Sequence, residues 1–255
     1  MLRKAAGRVL RSYDERFFPD AIGSGSGQWW RGDLLERVRG WDGQAASVPA
    51  PTIMGEIRRE HLEDVYAVGI YRPWHDGIPP KFTKWIRELK RHSKTLDLAA
   101  VLLYQGLTRD VASTAPSWIE EIGVVVPMAT HWRSYEERGH ELTEPLAREL
   151  AAMLCVPYVD IFERSSEAIP THHRSGYKPR VDALVDELRL KGDGGAALRS
   201  ASGVLIVDDI VTYGATFEAC ARTIRAVHPH LRCWGAALAY TQTQSRLDKA
   251  RSEQE

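Results

Sequence analysis

The run Val204-Leu205-Ile206-Val207 constrains the fold of this chain more than any other feature of its sequence. Four consecutive apolar residues, three of them β-branched, are typical of a strand that is buried on both faces, as in the middle of a parallel sheet. Asp208 and Asp209 follow directly, and a helical pattern begins soon after them. We therefore expect a central parallel strand with two carboxylates at its C-terminal end.

Other short apolar runs alternate with helical patterns along most of the chain. Strands are predicted within residues 65–70, 122–126, 157–162, 203–207 and 234–239. Apolar residues at helical spacing predict helices within 81–92, 146–154 and 217–227, whereas 181–190 suits either a helix or a strand. Alternating strands and helices form crossover units, so the predicted fold class is α/β, a Rossmann-like parallel sheet with helices on both faces.

Composition divides the chain into three parts. Residues 23–27 read Gly-Ser-Gly-Ser-Gly, which is typical of a flexible linker, and a weaker break lies near residue 50. We expect a partly flexible N-terminal appendage, or hood, over residues 1–55, one domain over 56–240 and a polar tail over 241–255. Three tryptophans in the appendage indicate that part of it is packed.

Charge and cysteine content argue against several classes of protein. The chain has 34 basic and 34 acidic residues, whereas a protein that coats nucleic acid is normally basic. The longest apolar run, residues 96–104, is too short for a membrane span. The three scattered cysteines suit neither a disulfide framework nor a zinc site, and no secretory leader is visible. We expect a cytoplasmic protein with no membrane partner, and nucleic acid stays a possible partner that the net charge does not indicate.

The residues after the two acids have the composition of an anion-binding loop. Thr212, Tyr213, Gly214, Ala215 and Thr216 lead from the predicted strand into a helix. A helix N-terminus presents unpaired backbone N–H groups, the threonines add hydroxyls, and the glycine lets a phosphate come close to the backbone. Two acids beside a phosphate are compatible with binding if they accept hydrogen bonds from the hydroxyls of a sugar that carries the phosphate.

This segment has two other interpretations. An ordinary strand-to-helix turn with exposed acids stays an alternative. A response-regulator receiver also has paired aspartates after an apolar strand, but too few residues follow Asp209 to complete that domain.

Over residues 204–216 the sequence resembles the type I phosphoribosyltransferases. Their signature is a strand, two acids and a Thr- and Gly-rich loop that binds the 5′-phosphate of phosphoribosyl pyrophosphate (PRPP). Tyr213 departs from it, since the family usually has a small residue there. The resemblance implies the phosphoribosyltransferase fold, Asp208 and Asp209 as catalytic residues that orient the ribose, residues 212–216 as the phosphate site, and Mg²⁺ carried by PRPP.

A weaker resemblance, over about residues 64–240, is to the competence-protein F (ComF) branch of this family. Val126-Pro127 ends a strand as in that branch, and Arg138-Gly139 match its motif, although residues 140–142 do not continue it. The resemblance implies that Arg133 and Arg138 bind substrate near the pyrophosphate; solvated surface arginines are the alternative. The cysteine-rich zinc element usual in this branch has no counterpart, because no cysteine precedes Cys155.

A polar stretch, residues 164–180, corresponds to the loop that closes over PRPP in phosphoribosyltransferases. Arg164 and Arg180 match the ComF branch loosely, and Arg174 is our substrate-binding candidate here. The pair His172-His173 does not predict a metal site, because adjacent residues rarely converge on one ion. The branch also has a lysine near the end of the helix over 81–92, where Lys90 or Arg91 would be that residue.

The sequence therefore predicts an enzyme of nucleotide metabolism that transfers phosphoribose from PRPP to a nucleobase or an amine and releases pyrophosphate. No residue identifies the acceptor. The sequence does not determine the oligomeric state, for which a homodimer is one alternative. The alternative comes from another class: a non-catalytic, ComF-type module that senses PRPP or a nucleotide and is linked to DNA uptake or regulation.

Overall fold

The structure, a computed structural model, describes residues 34–40, 60–73, 80–92, 95–129, 141–165, 177–192 and 194–241. Six strands occur in this part of the chain: β1 (Asp64–Tyr71), β2 (Val124–Pro127), β3 (Phe162–Arg164), β4 (Leu188–Leu190), β5 (Gly203–Val211) and β6 (Arg232–Thr241). Strands β3 and β4 form a separate antiparallel pair, and the other four form a parallel sheet.

The helices of the described segments pack around this sheet. They are α1 (Leu34–Gly40), α2 (Lys81–His92), α3 (Leu96–Gly106), α4 (Pro116–Glu120), α5 (Thr143–Leu154), α6 (Tyr177–Glu187), α7 (Gly194–Leu198) and α8 (Ala215–Val227). Helix α3 continues into a wider π-helical turn, Leu107–Val111, and a short last turn, Ala112–Thr114.

The parallel sheet has the order β1-β6-β5-β2. Beyond β2, the Val125 N–H donates to the Pro157 carbonyl at 2.9 Å, and the Val159 N–H donates to the Val125 carbonyl at 3.0 Å. The chain thus steps outward in one direction from β2 and in the opposite direction from β5 to β6. The strand order reverses between β2 and β5, and in open α/β sheets ligands bind outside the carboxyl ends of the strands at such a point.

Helices cover both faces of the sheet, as the sequence predicted. Leu205 and Val207 of β5 pack in a hydrophobic cluster with α1, α2, α3 and α5, whereas Val204 and Ile206 pack in a second cluster with α6 and α8. Because successive side chains of a strand point to opposite faces, the two clusters lie on opposite sides of the sheet. The α/β class with a parallel sheet is confirmed, and the arrangement is consistent with a Rossmann-like fold.

Residues 157–162 and 181–190 differ in detail from their predicted structure. Residues 157–162 do not form one strand: Tyr158 makes a bridge to β2, and Phe162 begins β3 of the separate pair. The stretch 181–190, which suited either a helix or a strand, contains one of each, since α6 ends at Glu187 and β4 begins at Leu188. Within the described segments, no helix combines the length and the apolar character that a membrane crossing requires.

Of the expected N-terminal appendage, the structure describes α1. Leu34 and Leu35 are buried in the first cluster, and the Leu35 N–H donates to the side-chain oxygen of Gln105 on α3 at 3.0 Å. This helix therefore packs on the same core as the sheet. The remainder of residues 1–55 and the tail after residue 241 lie outside the described residues.

Candidate functional site

A cleft of about 340 Å³ opens at the carboxyl end of β5, close to where the strand order reverses. The end of β5, the turn after it and the first residues of α8 form one side, and α6 forms the other. The residues that line it are Arg180, Leu184, Asp208, Ile210, Val211, Thr212, Tyr213, Gly214, Ala215, Thr216 and Phe217.

The turn brings the open end of α8 into the cleft. Gly214 precedes the helix with φ 74° and ψ 5°, a left-handed conformation that glycine adopts without steric cost. The first bond of the helix runs from the Glu218 N–H to the Gly214 carbonyl at 2.9 Å, so the N–H groups of residues 215–217 precede the intrahelical ladder. Together with the helix dipole they favour an anion at this end of the cleft.

The two threonines of the loop have different environments. The Thr212 hydroxyl donates to the Thr241 hydroxyl at 3.0 Å, which ties the loop to the end of β6. Thr216, in the first turn of α8, is half-buried and lines the cleft. Thr212 therefore fixes the position of the loop, and Thr216 offers a hydroxyl beside the helix N-terminus.

The two neighbouring acids point to opposite faces of the sheet. Strand β5 does not end at Val207 but continues to Val211, so the acids lie within it. Asp208 is half-buried in the cleft, and its Oδ1 accepts the Asp209 N–H at 2.8 Å. Asp209 is only 6% exposed and lies on the other side. The resemblance implied that both acids orient the ribose, whereas the structure places only Asp208 in the cleft, because strand geometry separates consecutive side chains.

Lys90 is the partner of Asp209 on that face. Its Nζ, at the end of α2, lies 2.9 Å from Asp209 Oδ2. The lysine side chain is 26% exposed and the aspartate side chain 9%, so the pair is largely removed from water. The ammonium neutralises the charge of Asp209. Of the two acids, only Asp208 places its carboxylate in the cleft.

Arg180 contributes a cation from the other side of the cleft. It lies in the first turn of α6, and its Cζ lies 5.5 Å from the centre of the Tyr213 ring. Tyr213, 40% exposed, directly precedes Gly214 in the loop. Helix α6 is joined to α8 by Arg222, which donates to Asp182 at 2.7 Å.

The structure therefore brings together six of the predicted site residues: Asp208, Thr212, Tyr213, Gly214, Ala215 and Thr216. Asp209 lies behind the loop, and Arg133, Arg138 and Arg174 lie outside the described residues. Arg180, which the sequence matched only loosely, lines the cleft. Its spacing of four residues from Leu184, which also lines the cleft, places the two side chains on one face of α6, but the sequence does not show that this face borders the cleft.

Among the described residues, no three His, Cys, Asp or Glu side chains converge so that they could hold a metal ion. Cys220 of α8 is fully buried, and its Sγ lies 3.4 Å from Met128 Sδ. Burial raises the pKa of this thiol to about 12, so it stays protonated at neutral pH and is unsuited to act as a nucleophile.

Comparisons of the sequence with models of known protein families and with curated proteins found no match.

Proposed function

We propose that the cleft binds PRPP and that the protein transfers its phosphoribosyl group to a nucleobase or an amine, with release of pyrophosphate. The observation that carries the proposal is that one cleft contains both the open N-terminus of α8 and the carboxylate of Asp208. Backbone N–H groups suit a phosphate, and a carboxylate suits sugar hydroxyls. A sugar phosphate carries both groups, and the resemblance over residues 204–216 favours PRPP among the sugar phosphates.

In this proposal the residues of the cleft act by holding the ribose 5-phosphate unit. The N–H groups of residues 215–217 and the Thr216 hydroxyl bind the 5′-phosphate, and Asp208 accepts a hydrogen bond from a ribose hydroxyl. A nitrogen of the acceptor then forms a bond to the anomeric carbon as the bond from that carbon to pyrophosphate breaks. Rate enhancement comes from orientation and from stabilisation of the leaving group, without a covalent enzyme intermediate.

Mg²⁺ enters this proposal as part of the substrate. Mg²⁺ keeps several waters and is usually held by one or two carboxylates together with substrate phosphates. The half-buried carboxylate of Asp208 is a donor of this kind, whereas Asp209 is already paired with Lys90 on the other face of the sheet. The cleft therefore fits a metal that arrives with PRPP and is contacted by Asp208. When bound, the ion stabilises the charge of the departing pyrophosphate.

Calorimetric titration tests the binding step. PRPP with Mg²⁺ and ribose 5-phosphate should both bind the wild-type protein and raise its melting temperature, because only the folded loop presents these groups. Gly214→Val should weaken the binding of PRPP and of inorganic phosphate together, since a β-branched residue disfavours φ 74° and obstructs the approach to the loop. Gly214→Asn is the matched control, because asparagine tolerates this conformation. Failure of the wild-type protein to bind either sugar phosphate would overturn the proposal.

The transfer step needs a second experiment. Nucleobases and amines are screened for pyrophosphate release that depends on PRPP, with Asp208→Asn as the variant expected to lose most of the activity. Release with one class of acceptor identifies the reaction. Tight PRPP binding with no release from any acceptor would favour the alternative, a ComF-type module that senses PRPP or a nucleotide.

A further inference from the structure

Among the described residues that line the cleft, Arg180 is the only one that carries a positive charge. The resemblance to phosphoribosyltransferases implies a phosphate site made of loop residues 212–216, and Arg180 lies on a different element, α6. Its position next to that loop therefore calls for an explanation of its own.

We infer that Arg180, held in position by the ring of Tyr213, is a side-chain ligand of the phosphate group that the N-terminus of α8 binds. The inference rests on the proposed function. It assigns the cleft a phosphomonoester dianion bound from two sides, with backbone N–H groups on one side and a guanidinium on the other.

The contact with Tyr213 places the guanidinium near the helix terminus. Arg180 Cζ lies 5.5 Å from the ring centre, within the range of an attractive cation–π contact. Tyr213 directly precedes Gly214, and both line the same cleft as Arg180, so the guanidinium is held by the residue before the anion-binding end of α8. Because the ring already restricts the flexible arginine side chain, anion binding costs less of its conformational entropy.

The backbone of Arg180 is also held in place. Leu184, one turn further along α6, is 1% exposed in the cluster that α6 shares with α8. The pair Arg222–Asp182 joins the same two helices at 2.7 Å. Helix α6 therefore presents Arg180 at a fixed place opposite the start of α8, which a phosphate ligand between them requires.

The charges of the cleft favour a cation at this place. The carboxylate of Asp208 lies in the cleft and repels a phosphate dianion, while the end of α8 supplies only about half a positive charge. Lys90 does not line the cleft, because its ammonium lies against Asp209 on the other face of the sheet. The positive charge of the Arg180 guanidinium balances the negative charge of Asp208, so the cleft attracts a phosphate dianion. The guanidinium can also bind two phosphate oxygens at once.

The inference also explains the departure at Tyr213 from the family signature. A small residue, usual at this position in the family, provides no ring surface. A tyrosine here gives the guanidinium of Arg180 a surface to rest on, and it leaves the backbone N–H groups of the loop in place. Tyr213 is thus a positioning residue, and Arg180 is the residue that touches the ligand.

The test uses inorganic phosphate and ribose 5-phosphate as probes, titrated calorimetrically into the full chain. Arg180→Ala should weaken both by about ten- to a hundredfold, the usual range for a lost charge-assisted contact. Arg180→Lys should recover part of this affinity. Arg148→Ala, which removes an exposed arginine of α5 that does not line the cleft, should leave both affinities close to those of the wild type.

Variants of Tyr213 test its positioning role. Tyr213→Phe keeps the aromatic face and should bind like the wild type, whereas Tyr213→Ala should weaken both probes, though less than Arg180→Ala does. The double variant Arg180→Ala/Tyr213→Ala should bind no more weakly than Arg180→Ala alone, because the ring acts through the guanidinium. Additive losses in the double variant would overturn this role, because they would show that Tyr213 acts independently of Arg180, for example through a general effect on folding.

The possible failures are distinguishable. If the wild-type protein binds neither probe, both the proposed function and this inference are wrong. If the wild type binds and the folded Arg180→Ala variant binds equally well, the inference alone is wrong. Should Arg180→Ala fail to fold, as judged by its melting curve, Arg180→Gln retains most of the side-chain volume and provides the same comparison.

Discussion

Asp208 and Asp209 are neighbours in the sequence, but they differ in burial, partner and face. Asp208 lines the cleft, and Asp209 is 6% exposed and lies 2.9 Å from Lys90. Removing one partner of a largely buried ion pair leaves the other charge uncompensated, and that cost exceeds the net contribution of the intact pair. The two acids should therefore respond differently to the same substitution.

We predict that Asp209→Asn lowers the free energy of unfolding by about 1–3 kcal/mol, the usual cost of leaving a buried polar partner unsatisfied. Asp208→Asn should change stability little and weaken ribose 5-phosphate about ten- to a hundredfold, with inorganic phosphate unchanged or slightly tighter as a negative charge is removed. Urea unfolding and calorimetry measure the two effects.

Lys90→Met serves as the control for the pair. It should destabilise the protein to a similar degree as Asp209→Asn, and the double variant should lose less than the sum of the two single losses. Equal loss of ribose 5-phosphate affinity in Asp208→Asn and Asp209→Asn, with both proteins fully stable, would contradict the division between the acids.

This division could not be predicted from the sequence. The apolar run stops at Val207 and aspartate is poor in strands, so the strand was expected to end there. In the structure, pairing of Asp208 with Ala237 and of Ile210 with Ala239 continues the strand through both acids. That pairing joins residues far apart along the chain, whereas the loop itself was predictable because Gly214 and its threonines are a local signal.

At the scale of elements, β1 and α3 approach each other closely where α3 changes into its π-helical turn. A Cβ on Gly106 would lie 2.1 Å from the Tyr66 hydroxyl oxygen. That hydroxyl donates to Asp110 in the π-helical turn at 2.7 Å. The close approach fixes the distance between the helix and the sheet, and it requires that residue 106 has no side chain.

We predict that Gly106→Ala destabilises the protein by about 1–3 kcal/mol, the usual cost of overpacking, despite the better helix propensity of alanine. Thermal or urea unfolding measures the change. Gly192→Ala is the matched control, because a Cβ there meets nothing within 4 Å, and it should be neutral. An unchanged or raised stability of Gly106→Ala would show that Tyr66 moves aside at no cost.

The elements with a long, regular pattern were predicted well, and the short ones were not. The apolar spacing of Phe82, Trp85 and Leu89 predicted α2, which covers residues 81–92 in the structure as well. Strands β3 and β4 have three residues each, too few for a periodicity, and they exist because they pair with each other. The place of Arg180 in the cleft likewise depends on the packing of α6 against α8, a contact that one sequence does not reveal.

For the molecule as a whole, the two faces of the sheet separate α1 from the cleft. Helix α1 packs in the cluster with α3, whereas Leu184, Val211 and Phe217 of the cleft belong to the opposite cluster. We predict that a chain beginning at Glu56 still binds ribose 5-phosphate with an affinity within a few fold of the full chain. It should melt at a lower temperature, because the truncation uncovers buried side chains of α3 and the Gln105 oxygen.

Calorimetry and thermal unfolding of the two lengths of chain make this comparison. Leu35→Ala in the full chain is a smaller perturbation of the same contact and should lower the melting temperature while leaving the affinity unchanged. A folded truncation that no longer binds the sugar phosphate would show that residues 1–55 belong to the site.

The three thiols should report on the integrity of the whole core. Cys220 and Cys233 are 0% exposed, and burial raises the pKa of each to about 12, whereas Cys155 is exposed. Since the thiolate is the reactive form, we predict that Ellman's reagent modifies one thiol rapidly in the folded protein and all three in denaturant. Cys155→Ser should abolish the rapid reaction. A second rapid thiol in the folded protein would mean that the core opens locally.

The sheet order also determines when this protein can fold during synthesis. Strand β6 lies between β1 and β5, so the first and the last strands of the described chain are direct neighbours. Until Thr241 has left the ribosome, the nascent chain has a gap in its sheet, and both β1 and β5 expose an edge to other strands. Completion of the sheet is therefore delayed until β6 has been synthesised, and a polypeptide released before β6 exposes apolar edges that a chaperone would have to cover.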